Sequence, residues 1–75
     1  MQDVVLIPAY QPDKAMLNLV DQLSENNFSI LIVDDGSGEA YAPLFEQASS
    51  KAKVLHHAHN RGKGAALKTG ISAIR

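Results

Sequence analysis

Two short runs in this sequence hold residues able to do chemistry at close range: Asp34-Asp35-Gly36-Ser37 and Asn60-Arg61-Gly62-Lys63-Gly64. Adjacent carboxylates repel, so both stay ionised only where donors, a cation or solvent satisfy them. Gly36 lets the backbone turn sharply, and Ser37 adds a hydroxyl. Such a pair can face a ligand, and the same oxygens can equally cap the turn that follows through backbone N–H groups. We assign the structural role to Asp34 and the ligand-facing role to Asp35.

Gly62-Lys63-Gly64, ahead of a helix, allows backbone amides to approach a phosphate while Lys63 adds a point charge; it also suits a simple, closely packed helix start. Two familiar phosphate signatures fail. A P-loop needs a glycine five positions before Gly62 and a hydroxyl after the lysine, whereas His57 and Gly64 stand there. The dinucleotide fingerprint fails as well, because no glycine follows the first strand and Leu67 occupies the sixth position counted from Gly62. His56, His57 and His59 suggest a metal, but successive strand residues point to opposite faces, so His56 and His57 diverge and are read as surface or packed side chains. Tyr10 offers an aromatic face that can stack on a base or half-cover the core.

The elements that must position these groups follow from hydrophobic spacing. Ile30-Leu31-Ile32-Val33 is continuously apolar and largely β-branched, the pattern of a central strand buried on both faces. Val4-Val5-Leu6-Ile7 repeats that pattern and is expected to end at Pro8, which lacks a backbone donor. Met16, Leu19, Val20 and Leu23 predict a helix opened by Pro12 and closed by Asn26-Asn27. Tyr41, Leu44, Phe45 and Ala48 predict a short second helix with Pro43 in its first turn, Tyr41 and Phe45 belonging to the core. Lys53-Val54-Leu55-His56-His57 reads as a third strand nearer an edge. Leu67, Gly70, Ile71 and Ile74 predict a third helix. The order βαβαβα calls for an α/β fold with a parallel sheet and right-handed crossovers. Ligands of such sheets sit beyond the carboxyl ends of the strands, where Pro8-Ala9-Tyr10, Asp34 to Ser37 and His56 to Gly64 would meet.

Composition narrows the class. Of 75 residues, 45% are hydrophobic and 20% charged, and the net charge is -1. That balance argues against disorder and against non-specific nucleic-acid binding. The chain has no cysteine, hence no disulfide or thiolate metal site. No apolar run reaches the ~20 residues of a membrane span, and the N-terminus does not read as a signal peptide, so a soluble, cytoplasmic setting is the expectation. The sequence stops at Arg75 within a helical pattern, which suggests a piece of a larger domain.

Together, Val4 to Tyr10, Ile32 to Ser37 and Asn60 to Leu67 with Gly70 resemble the start of the family two glycosyltransferases, the nucleotide-sugar-dependent inverting enzymes that include the dolichyl-phosphate mannose synthases. The resemblance covers essentially the whole chain. It implies that residues 1–75 are the N-terminal nucleotide-binding part of a glycosyltransferase, a three-layer, Rossmann-like half of a GT-A domain. Pro8 and Ala9 match positions bordering the base, Tyr10 one that can stack on it, and Asp35 the carboxylate that accepts a base N–H. Asp34 is its neighbour in the signature, and Lys63 would lie near the base or the diphosphate. The chain departs from many relatives after Ser37, where Gly38-Glu39-Ala40 replaces an Asp followed by Thr.

The resemblance further implies a UDP- or GDP-sugar donor, with Mg²⁺ or Mn²⁺ on the diphosphate. The family's Asp-x-Asp metal motif and its catalytic base lie later in the chain, outside these residues, so the segment alone is expected to be inactive. The full-length parent is expected at the cytoplasmic face of a membrane or in the cytoplasm. A nucleotidyltransferase would need a glycine-rich loop after the first strand, and a receiver-like module a further Asp after the third. Neither is present. Without a later neighbouring strand, Val4 to Ile7 would form an apolar edge, and self-association through it or through an exchanged helix is expected.

Overall fold

The computed structural model describes residues 3–74. Its elements are β1 (Val4–Ala9), α1 (Ala15–Glu25), β2 (Ser29–Asp34), a 3₁₀ turn (Glu39–Tyr41), α2 (Ala42–Ala48), β3 (Lys53–His56) and α3 (Lys63–Ile74). The three strands form one parallel sheet in the order β1-β2-β3. This is the expected βαβαβα arrangement. Val4 stands opposite Ser29 and Ala9 opposite Asp34, while Leu31 stands opposite Lys53 and Asp34 opposite His56.

The register divides the sheet into two faces, because side chains alternate along each strand. Ile7 and Ala9, Ile30 and Ile32, and Val54 turn towards α1 and α2, where they pack with Met16, Val20, Phe45 and Ala48. Leu6, Leu31, Val33 and Leu55 occupy the opposite face, over which α3 crosses back to β1 and β2. The layers are therefore helix, sheet, helix. β2 is buried from Ile30 to Asp34, as its continuous apolar run requires.

Four expectations need correction. β1 does not end at Pro8: it continues to Ala9, with Pro8 opposite Val33. The backbone of odd-numbered β1 residues faces β2, since the Asp3 and Ala9 carbonyls accept from the Ser29 and Asp35 N–H groups. The Pro8 nitrogen consequently points to the free edge, where a missing donor breaks no ladder bond. In α1, Leu19 is 42% exposed and Leu17 packs on the core in its place. The helix is rolled so that Met16 and Val20 centre its buried stripe. It is opened not by Pro12 but by Asp13, whose Oδ1 accepts the Ala15 N–H at 2.9 Å; Asn27, at φ 66°, closes it in the left-handed conformation.

In α3 the buried residues are Ala66 and Gly70, whereas Ile71 and Ile74 are 48% and 45% exposed. The reason is proximity. A Cβ on Gly70 would lie 2.2 Å from Leu6 Cδ1, so with Leu6 in this rotamer α3 settles on β1 through its small residues. The chain ends at residues 1, 2 and 75 lie outside the described residues. Among the described residues no helix is long and apolar enough to cross a membrane.

Candidate functional site

α1 and α2 lie on one face of the sheet and α3 on the other, so the winding reverses as the chain returns over β1. Crevices form at such reversal points, beyond the carboxyl ends of the strands. A cavity of about 570 Å³ opens there. The end of β1 and the residue after it contribute Pro8, Ala9 and Tyr10; the residue after β2 is Asp35; the loop before α3 and its first turn contribute Asn60, Gly62, Lys63 and Ala66. Tyr10 is 51% exposed at the rim.

The two aspartates diverge as their positions on a strand end demand. Asp34 turns to the α1–α2 side, where Oδ1 accepts the Ser37 N–H at 2.9 Å and Oδ2 lies 2.7 Å from His56 Nδ1. His56 meets Phe45 edge-on with ring centroids 5.7 Å apart. Burial pushes the Asp34 carboxyl up, but the hydrogen bonds from Ser37 and His56 outweigh it and hold it below its ordinary value. The Ser37 hydroxyl accepts the Gln11 N–H at 2.8 Å, tying the turn after β1 to the turn after β2.

Asp35 turns to the α3 side and lines the cavity. Its Oδ1 lies 2.8 Å from His57 Nδ1 and accepts the Arg61 N–H at 2.9 Å; Oδ2 accepts the Gly62 N–H at 2.9 Å. His57 and the Arg61 and Gly62 amides hold this carboxyl below its usual range against the effect of burial. The loop can come so close because residue 36 is glycine. At φ 74°, a Cβ there would lie 2.3 Å from both Asn60 N and His59 C.

Five of the six sequence-derived site residues thus share one cavity: Pro8, Ala9, Tyr10, Asp35 and Lys63. Asp34, the sixth, does not line it: its carboxylate is held by the Ser37 N–H and His56 on the other side of the sheet. Sequence reasoning placed the segment holding Asn60 and Gly62 at this end of the sheet without giving either a role of its own; it did not single out Ala66, and it left His57 without a specific partner. Strand parity was the available signal, since placing Asp34 beside His56 puts Asp35 beside His57. The site residues do not fit a metal ion. The two carboxylates face opposite sides of the sheet, and among the described residues no three His, Cys, Asp or Glu side chains converge to hold one.

A parallel α/β sheet with an acid-floored cavity at its winding reversal has the arrangement in which such sheets hold their ligands. The sequence profile of glycosyl transferase family 2 matches residues 4–75, and the chain belongs to that family. Among curated relatives it is 33% identical to a dolichyl-phosphate beta-glucosyltransferase of Dictyostelium discoideum, over 95% of this chain and 27% of that protein. It is 29% identical to a UDP-N-acetylglucosamine–dolichyl-phosphate N-acetylglucosaminyltransferase of Methanococcus voltae, over 89% of this chain and 33% of that protein. It is also 34% identical to a pre-mycofactocin glycosyltransferase of Mycobacterium tuberculosis, over 92% of this chain and 14% of that protein. The chain therefore spans a third or less of each of these relatives. No solved structure matches it significantly.

Proposed function

We propose that this chain is the nucleotide-binding segment of an inverting glycosyltransferase that takes its sugar from a UDP- or GDP-linked donor. The observation that carries the reading is the state of Asp35. An ionised carboxylate offers about four acceptor positions, and three N–H groups occupy Asp35: His57 and Arg61 on Oδ1 and Gly62 on Oδ2. By that count one position remains, on Oδ2, and Asp35 lines the cavity together with Tyr10 and Lys63. A ring N–H, as in uracil or guanine, complements that acceptor; Tyr10 supplies a stacking face and Lys63 a charge for the diphosphate. Pro8 and Ala9 border the base.

In this reading the segment binds and orients the donor, and the catalytic base lies outside it. Mg²⁺ or Mn²⁺, which would neutralise the leaving diphosphate, is held by residues elsewhere in the whole protein. By likeness to the relatives named for dolichyl phosphate, we read the acceptor as a lipid phosphate and the whole protein as working in the cytoplasm or at the cytoplasmic face of a membrane. A second copy of the chain pairs along the free β1 edge. Light scattering that finds only monomer at high concentration would remove that last element.

The test is titration with UDP, GDP and ADP by calorimetry, with Asp35→Asn as the control. UDP or GDP is expected to bind, ADP more weakly, and the variant to weaken binding about tenfold or more, as loss of a hydrogen bond to a charged group does. Equal binding of all three, indifferent to Asp35→Asn, would overturn the reading.

A further inference from the structure

His57 is nearly enclosed, its side chain 6% exposed, yet it belongs to no apolar cluster: both ring nitrogens are engaged. Nδ1 lies 2.8 Å from Asp35 Oδ1 and Nε2 lies 2.8 Å from Thr69 Oγ1. An ionised carboxylate can only accept, so Nδ1 carries the proton; in the neutral ring Nε2 then accepts from the Thr69 hydroxyl. A chain of donors therefore runs from Thr69 through His57 to Asp35. The same carboxylate is gripped by the Arg61 and Gly62 amides immediately before α3, while Thr69 lies within that helix. One helix and its leading loop thus hold Asp35 from two directions. The main-chain N–H of His57 adds a further tie, donating to the Asp34 carbonyl at 2.8 Å.

We infer that His57, steadied by Thr69, is the positioning residue that sets nucleobase selectivity at Asp35. By fixing Oδ1 it turns the remaining acceptor of Oδ2 towards the cavity, so that the pocket prefers a base presenting a ring N–H. The inference rests on the nucleotide reading above and adds to it the group that enforces the choice.

Two substitutions separate positioning from packing. His57→Asn keeps a donor near the place of Nδ1, while His57→Phe keeps a ring of similar size and removes both nitrogens. The probes are UDP and its N3-methyl analogue, or GDP and its N1-methyl analogue if the protein takes guanine. The wild type is expected to prefer the unmethylated nucleotide by about tenfold or more. His57→Asn should retain the preference and His57→Phe reduce it to within about twofold, with little change for the methylated probe. A packing role would weaken both probes together. Without any nucleotide, the Arg61 and Gly62 amide resonances should move in His57→Phe and return in His57→Asn. If His57→Phe fails to fold, Thr69→Val, which removes only the hydroxyl, should lower the preference part of the way.

Full preference and unmoved amides in folded His57→Phe, or in Thr69→Val where the former does not fold, would overturn the role of His57 while leaving the nucleotide reading standing. A wild-type protein that binds neither UDP nor GDP would overturn both.

Discussion

Replacing Gly36 by alanine should do far more than one methyl group suggests. The residue sits at φ 74°, where an L side chain costs about 1–2 kcal/mol. Its new Cβ would stand 2.3 Å from Asn60 N and from His59 C, both backbone atoms that cannot swing aside. Ordinary contact begins near 3.5 Å, so the His59–Asn60 backbone must retreat by about 1 Å. Overpacking of that kind costs a further 1–3 kcal/mol or so, for a total of about 2–5 kcal/mol. A chain of 75 residues is stable by about 4–11 kcal/mol in all. The displacement also pulls the Arg61 and Gly62 amides from Asp35, so the proposed nucleotide binding should fall with stability. Gly38→Ala is the control, because Gly38 has φ 97° but nothing within 4 Å of a built Cβ. With ψ 169° it lies in a region only glycine enters readily, so the variant should show a conformational part alone, about 1–3 kcal/mol, with the Arg61 and Gly62 amides undisturbed. Urea unfolding followed by circular dichroism measures both. A Gly36→Ala variant no less stable than Gly38→Ala, with its Arg61 and Gly62 amide resonances unmoved, would refute the claim that the loop rests on the Gly36 backbone.

Three further outcomes are expected. Asp34 and Asp35 both titrate below their ordinary value when folded. Their contribution is therefore present above the unfolded value of about 3.9 and lost as pH falls from there through the folded values; urea midpoints between pH 7 and pH 3 should show a shallower acid loss in the Asp34→Asn, Asp35→Asn double variant, and an unchanged slope would contradict the assignment. Phe45→Ala removes a fully enclosed ring from between α2 and the sheet and should cost about 3–5 kcal/mol, leaving little cooperative thermal transition. Gly70→Ala should destabilise in the wild-type background by steric conflict with Leu6, yet become neutral or slightly stabilising beside Leu6→Ala, where the helix preference for alanine of about 1 kcal/mol is unopposed; additive effects in that double-mutant cycle would show that the two residues do not meet.

Much of the fold was legible because single residues constrained it locally. Ile30 to Val33 could only be a strand covered twice, and Pro43 is acceptable only in the first turn of a helix. The faces of α1 and α3 were less legible, because periodicity defines a stripe but not which flank of it meets the sheet. Leu19 lost that contest to Leu17, and Ile71 and Ile74 to Ala66, while Gly70, already in the expected stripe, is buried against Leu6. Pro8 misled for a related reason: a missing donor ends a strand only if the donor was needed, and that depends on which side the neighbour lies. At the site, topology alone brought Pro8, Ala9, Tyr10, Asp35 and Lys63 together. The coupling of Asp35 to Thr69 through His57 required the register of β2 on β3 and the placement of α3, neither of which any one segment encodes.

The proline in β1 also limits what can be built on that side of the sheet. Even-numbered residues of β1 turn their main-chain groups outward, so Val4 and Leu6 can each offer an N–H to an incoming strand, but Pro8 cannot. A strand arriving from elsewhere in the polypeptide or from another molecule can zip along the lower part of β1 and must then peel away before reaching Ala9. The sheet can thus be widened at its base while its upper rim, where Tyr10 stands, stays unroofed. A single imino acid separates the part of the strand that can recruit structure from the part that borders the cavity.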